Sequence, residues 1–369
     1  MAARVSSSLP TDHLFATIST PLCLGAWKQH LVNHPDQDFV RFIVKGMEEG
    51  FPIGVDPTAT FMSARRNMSS AAENPQVIED YLTKEVAAGN IFGPFSPSVL
   101  PEVHINRFGV IPKKYQPRKW RLITDLSYRE GSSVNDAIDP SLCSLSYTSV
   151  DVVAATAAAL GKGALLAKID VKSAYRLVPV QPGQRKWLGM QWQGKVYVDG
   201  MLPFGLRSAP KIFNAVADAL EWCVAKQGIQ HIYHYLDDFI VLGSPGMAEC
   251  GASLSILQRV CQELGVPLAP EKQDGPAAVL TFLGIEIDTI RQELRLPAEK
   301  LQRLLRMVDE WEIGRPALGE NWSPSLESCS THAKLSNLDA ASFAGQYPCS
   351  ALQSSHIITY SLMQNSGQT

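Results

Sequence analysis

Asp237 and Asp238 stand side by side between two apolar runs, residues 229–235 and 239–242. Two adjacent carboxylates at the tip of an apolar hairpin repel each other and lose hydration, so keeping both ionised calls for a cation. Hard carboxylate oxygens suit a divalent cation, and a common use of such a cation between carboxylates is phosphoryl transfer on a nucleic acid. An acidic pair alone is weak evidence, because most such pairs are solvated turns. The flanking apolar strands strengthen it, as does a second apolar run, residues 164–169, that ends in Asp170.

The elements that must hold these residues follow from periodicity. Pro35-Asp36 opens a helical pattern through Phe39, Val40, Phe42, Ile43 and Met47, which Gly50 ends. A polar, loop-like stretch covers residues 58–73, and Val77, Ile78, Tyr81, Leu82 and Val86 then recur at helical spacing. Residues 103–111 and 120–125 read as strands around a basic turn, residues 113–119, the densest positive cluster in the chain. A helix is predicted over 149–161, the strand 164–169 follows, and residues 187–198 read as a hairpin turning at Gln193-Gly194. Ser208 is predicted to cap a helix that runs to Gly228. The Asp237-Asp238 hairpin, a helix over 247–264 and a strand over 280–287 complete the series. Strand, helix, strand–strand, helix, strand is the split βαβ order of an α+β fold, and it brings Asp170 to face Asp237 and Asp238. One more amphipathic helix runs from 300 to 311, after which periodicity collapses.

Bulk properties narrow the class without choosing it. The chain has 369 residues, 45% of them apolar and 19% charged, with a net charge of −3. It is long enough for a large domain or two to three subdomains, and any basic surface must be local. Seven cysteines without a CxxC pair argue against a zinc site or a disulfide framework and for a reducing compartment. No apolar run reaches membrane-spanning length, so no membrane partner and no secretion are expected, and a cytoplasmic or nuclear location is.

Four ordered segments give the chain a family. Residues 166–175 (LAKIDVKSAY) resemble the first catalytic motif of reverse transcriptases, an Asp followed five residues later by an aromatic. Residues 202–213 (LPFGLRSAPKIF) resemble the motif that contacts template and nucleotide. Residues 235–238 (YLDD) look like the metal-binding box, and residues 281–286 (TFLGIE) like the primer-grip turn. Phe204 stands where retroviral enzymes usually carry Gln and retrotransposon enzymes commonly carry Phe. The wording from Asn106 to Asn135 is similar to tyrosine-recombinase (DIRS-like) retrotransposons.

The resemblance implies a right-hand polymerase: an N-terminal arm and helix over 1–72, fingers over 73–165 with a return over 180–202, a ferredoxin-like split βαβ palm over 166–290, a partial thumb over 291–311, and an unstructured or out-of-frame tail over 312–369. It implies RNA- and DNA-directed DNA synthesis from dNTPs on a primed RNA or DNA template. Two Mg²⁺ ions, for which Mn²⁺ can substitute, would be bridged by Asp170 and Asp237, with Asp238 and the Val171 carbonyl as secondary ligands. Lys113 or Lys114, with Arg121, would neutralise the triphosphate. Tyr175 would exclude a ribose 2′-hydroxyl by bulk, and Phe204 and Gly205 would line the nucleotide. By the resemblance Lys272 would protonate the departing pyrophosphate, the alternative being an ordinary surface lysine, and Phe282, Leu283 and Gly284 would form the primer grip. Two rival readings stay open: a truncated remnant of a mobile element that copies nothing, favoured by the tail where relatives continue into a ribonuclease H region, and a non-catalytic nucleic-acid-binding module.

Several residues have plainer readings. His231 and His234 point to opposite faces of a strand and do not share a ligand. Trp187 and Trp192 pack their hairpin, and the Leu301, Leu304, Leu305 and Val308 stripe is core.

Overall fold

The computed structural model describes residues 16–64, 66–112, 119–313 and 360–361, so Lys113, Lys114 and most of the tail lie outside the described residues. In chain order the elements begin with α1 (Leu24–His30), α2 (Gln37–Glu49), α3 (Ser69–Glu73) and α4 (Pro75–Ala87). Next come β1 (Ile91–Phe95), β2 (Ile105–Pro112), β3 (Trp120–Asp125), α5 (Val150–Leu160), β4 (Leu165–Val171), β5 (Gly189–Trp192) and β6 (Lys195–Asp199). The series continues with α6 (Ala209–Ala225), β7 (Ile232–Tyr235), β8 (Asp238–Gly243), α7 (Glu249–Leu264) and β9 (Leu268–Ala277). It closes with β10 (Val279–Phe282), β11 (Ile285–Asp288), β12 (Glu293–Arg295), α8 (Ala298–Ile313) and β13 (Tyr360–Ser361).

Local chemistry explains many of the boundaries. The Asp36 side chain accepts a hydrogen bond from the Phe39 N–H at 2.9 Å and so caps α2, while Gly50, at φ +87°, ends it. Ser149 caps α5 through the Val152 N–H. The turn between β5 and β6 has Gln193 and Gly194 at φ +45° and +73°, the paired positive values of a primed hairpin turn. Ser208 departs from expectation: its hydroxyl donates to the Ile53 carbonyl at 2.7 Å and caps nothing. Within the polar stretch 58–73, α3 forms one helical turn that the composition did not announce.

The chain divides into two compact units. One comprises Met1–Ser146, Val171–Lys226 and Gln258–Leu268; the other comprises Tyr147–Asp170, Gln227–Leu257 and Ala269–Thr369. The first unit holds a five-stranded sheet in the order β1-β6-β5-β2-β3, whose β2–β3 ladder runs from Arg107↔Asp125 to Pro112↔Trp120. Ile78 and Leu82 of α4 pack with Ile91, Phe108, Val110 and Met190 in a shared core, and Trp192 joins that cluster. Trp187 packs against Phe61, with ring centres 4.6 Å apart, so both tryptophans act as packing groups.

The second unit holds a four-stranded sheet in the order β7-β8-β4-β9. Counting these strands by chain position gives second, third, first, fourth, the split βαβ order. The fourth strand is not the predicted one. The edge position is taken by β9, whose residues are mostly exposed and include Pro270 and Pro276, as edge strands tolerate. Its polar text hid it. The apolar stretch 280–287 is instead the hairpin β10–β11, and Leu280, Phe282 and Ile287 share a core with Val150, Val153, Leu166, Ile240 and Leu242. Strand β12 extends that hairpin and β13 pairs with it, which gives residues 360–361 of the predicted tail a place in a sheet. Five cysteines are described, and all five are free thiols. No described helix is long and apolar enough to cross a membrane.

Candidate active site

Strand register brings the acidic residues of the second unit together. Asp170 of β4 lies directly opposite Asp238 of β8. Tyr235 pairs with Asp238 across β7 and β8, so Leu236 and Asp237 alone make the turn. Leu236 takes φ +53°, a region that favours glycine and costs a branched residue about 1–2 kcal/mol. Strain of this kind persists only where the surroundings impose it, and it gathers at functional sites. Lys272, on the neighbouring strand β9, gives its ammonium to the Asp170 carboxylate. Three predicted catalytic carboxylates and the predicted acid are thus in one place.

Burial governs the electrostatics of these carboxylates. Burial pushes Asp237 above the usual carboxylate range, and the Asp170 charge adds to the rise while Lys272 opposes it. Asp238 is pushed up to about 7 by burial first, then by its hydrogen bond to Asp170 and by the charges of Asp170 and Asp237. Hard carboxylate oxygens gathered by strand register at one turn form a donor set that fits a divalent metal. Among the described residues, however, no three His, Cys, Asp or Glu side chains already stand together at single-ion spacing. Asp170 is neutralised by the Lys272 ammonium. Val171 follows as the last residue of β4 with its side chain buried, which leaves its carbonyl as the only group it can offer.

The raised Asp238 value has a consequence for stability. An unfolded carboxyl titrates near 3.8 and the folded one near 7, so the folded state holds the extra proton between these values. Stability therefore falls as pH rises through that window, and above it the full penalty remains. In chelator at pH 8, Asp238→Asn is expected to stabilise the protein by about 1 kcal/mol or more, with the gain shrinking toward pH 4. Thermal melts across pH check this; a gain independent of pH would contradict it.

The first unit carries a second cluster. Tyr175 lies on the 3-10 turn Ala174–Leu177. Its ring centre is 5.1 Å from that of Phe204 and 5.7 Å from that of Phe213. The Arg121 guanidinium sits 5.7 Å from the Phe204 ring centre, and Phe204 is 48% exposed, an accessible aromatic face. Arg121, Tyr175 and Phe204 therefore come together as the motifs implied. Gly205 has φ +93°, and a Cβ there would stand 3.0 Å from the Thr124 carbonyl oxygen. Gly205→Ala is expected to lower stability by roughly 1–2 kcal/mol, read as a lower melting temperature.

One functional residue escaped the sequence reading. Asn135 is buried, donates to the Gly205 carbonyl at 2.8 Å and accepts from the Arg207 N–H at 2.8 Å, clamping the turn that carries Phe204 and Gly205. Its place in the SVN string was the available signal. Tyr147, whose ring stacks on Tyr235 at 4.7 Å, had none. The primer-grip assignment needs a correction: Phe282 is 1% exposed and part of the core, so it cannot touch a ligand. Leu283 and Gly284 form the turn, at φ +48° and +81°, and the Gly284 carbonyl accepts from Lys300 at 3.1 Å.

The family described as "Reverse transcriptase (RNA-dependent DNA polymerase)" matches residues 111–287, which include all of these positions except Lys300. Residues 111–287 thus carry the match to a reverse transcriptase domain. Among curated relatives, Polyprotein P3 of Commelina yellow mottle virus is 27% identical over 163 residues, covering 44% of this chain and 8% of that protein. The Pol polyprotein from transposon 412 of Drosophila melanogaster is 26% identical over 192 residues, 47% of this chain and 13% of that one. The Pro-Pol polyprotein of feline foamy virus is 26% identical over 185 residues, 48% and 14%. The chain thus spans a small part of each relative. Viral and retrotransposon polyproteins are what this chain is similar to.

Solved structures agree on the fold. A foamy viral protease-reverse transcriptase in complex with double-stranded DNA matches with a TM-score of 0.52 at 18% identity, over 83% of this chain and 50% of that one. The same viral enzyme with an RNA/DNA hybrid matches at 0.52 and 17%, over 80% and 38%. The α+β architecture read from the sequence is that of a reverse transcriptase polymerase.

Proposed function

We propose that the chain catalyses template-directed transfer of nucleotides from dNTPs to a primer 3′-hydroxyl, on RNA or DNA templates. The observation that carries this is the register of β4, β7 and β8, which aligns Asp170 with the Asp237-Asp238 turn inside a reverse transcriptase domain. In this reading the sheet β7-β8-β4-β9 is the palm, the five-stranded sheet belongs to the fingers, and α8 is a partial thumb. The foamy viral neighbours were solved on double-stranded DNA and on an RNA/DNA hybrid, and a duplex of template and primer is the partner we assign here.

Asp170 and Asp237 would hold two Mg²⁺ or Mn²⁺ ions, with Asp238 and the Val171 carbonyl in support. When bound, such ions activate the attacking hydroxyl and neutralise the leaving pyrophosphate. The chain's own residues do the rest. Arg121 binds triphosphate oxygens through its planar fork, and Tyr175 with Phe204 offers an aromatic wall to the sugar. Lys272, whose ammonium meets the Asp170 carboxylate, would be the group that protonates pyrophosphate through Nζ. Catalysis of this kind is mostly positioning and charge neutralisation.

Primer extension by the purified chain tests the proposal. Extension on both template types is expected, in products that shorten as salt rises, because contacts to backbone phosphates supply most of the affinity for duplex. Template–primer binding without extension would favour a non-catalytic module.

A further inference from the structure

Beside Tyr175 lies a buried charge cluster that neither the motifs nor the proposed chemistry uses. The Arg176 Nη1 donates to both carboxylate oxygens of Asp199 at 2.8 Å, and its Nε donates to Glu85 at 3.0 Å. All three side chains are at most 10% exposed. Asn90 donates to the same Glu85 oxygen at 2.9 Å, and the Met201 N–H donates to Asp199 at 3.1 Å. The cluster thus ties the turn of Tyr175 to α4 and to the end of β6.

A buried ion cluster is poor evidence for stability, since well-packed apolar residues often do as well or better. What it supplies is geometry. The turn needs it, because Ser173, just before it, is held at φ +56° and ψ +38°, a conformation that non-glycine residues avoid. On a 3-10 turn consecutive side chains diverge by about 120°, so a fixed Arg176 fixes the direction of Tyr175. The Tyr175 ring then meets Phe204 and Phe213.

We infer that Arg176 is a positioning residue: through Asp199 and Glu85 it holds the Tyr175 ring in the one orientation that discriminates against a ribose 2′-hydroxyl. The inference rests on the proposed polymerase reading. Arg176→Met alone would strand two buried carboxylates and is expected to unfold the domain. The informative variants are therefore the neutral triple Glu85→Gln/Arg176→Met/Asp199→Asn and the conservative Arg176→Lys, which keeps a buried cation and loses the planar fork.

Two measurements decide it. The first is the ratio of kcat/KM for dNTPs to that for rNTPs in primer extension. It is expected to fall at least about fivefold in the triple variant through a lower KM for rNTPs, with kcat for dNTPs changed less than about twofold, and to fall less in Arg176→Lys. A merely structural role would depress both substrates together and leave the ratio alone; that result overturns the inference. The second is fluorine NMR of fluorinated Tyr175, which needs no activity. A shifted or split signal in the variants supports the inference, and an unchanged signal in folded variants overturns it. If the unaltered chain extends no primer, the polymerase reading fails separately and the fluorine signal still decides whether Arg176 positions the ring.

Discussion

Asp237→Asn is expected to abolish primer extension, lowering it by about a thousandfold or more, while the protein stays folded and still binds duplex. The magnitude follows from the charge removed. A metal-ligating carboxylate underwrites several kcal/mol of transition-state stabilisation, and each 1.36 kcal/mol is tenfold in rate. The stability side argues the same way. Burial holds the Asp237 carboxyl above its usual range, so losing its charge relieves the fold. A variant that melts no lower than the parent and extends nothing separates chemistry from folding, in keeping with the trade between stability and activity at functional sites. Residual extension within tenfold of the parent would remove Asp237 from the catalytic set.

Tyr175→Ala is expected to have the second largest effect, on choice and not on speed. The ring stands 5.1 Å from the exposed Phe204 ring, and in the proposed reading its bulk would supply the barrier to a 2′-hydroxyl. Selection by repulsion disappears when the repelling group is trimmed, and steric pockets of this kind are worth about 10–200-fold. Incorporation of rNTPs should rise by roughly 10–100-fold relative to dNTPs, measured as the ratio of kcat/KM values. An unchanged ratio would assign sugar choice to other residues.

Much of this site was legible because its residues are contiguous in short motifs. The aspartates, Tyr175, Phe204 and Gly205 each sit where local text alone implies them, and the register of β4, β7 and β8 follows from apolar strands with one obvious turn. What was not legible depends on exposure and on partners far along the chain. Strand β9 was missed because an edge strand needs no apolar face, and Phe282 was misread because a turn motif does not reveal which of its side chains is buried. Asn135 and Arg176 act through residues 70 and 23 positions away, at Gly205 and Asp199; the SVN string marks Asn135, but local text does not show which distant residue either one pairs with. Lys113 and Lys114 lie outside the described residues, and their role in holding a triphosphate is a proposal from the motif alone.

The most direct measurement is a titration of Mn²⁺ onto the chain bound to a template and chain-terminated primer with dNTP, followed by electron paramagnetic resonance. Two ions should bind to the parent protein. Asp170→Asn should weaken both, and Lys272→Met should bind the ions more tightly than the parent because the competing ammonium is gone. Equal Mn²⁺ binding by the parent and Asp170→Asn would contradict the claim that these carboxylates exist to hold metal.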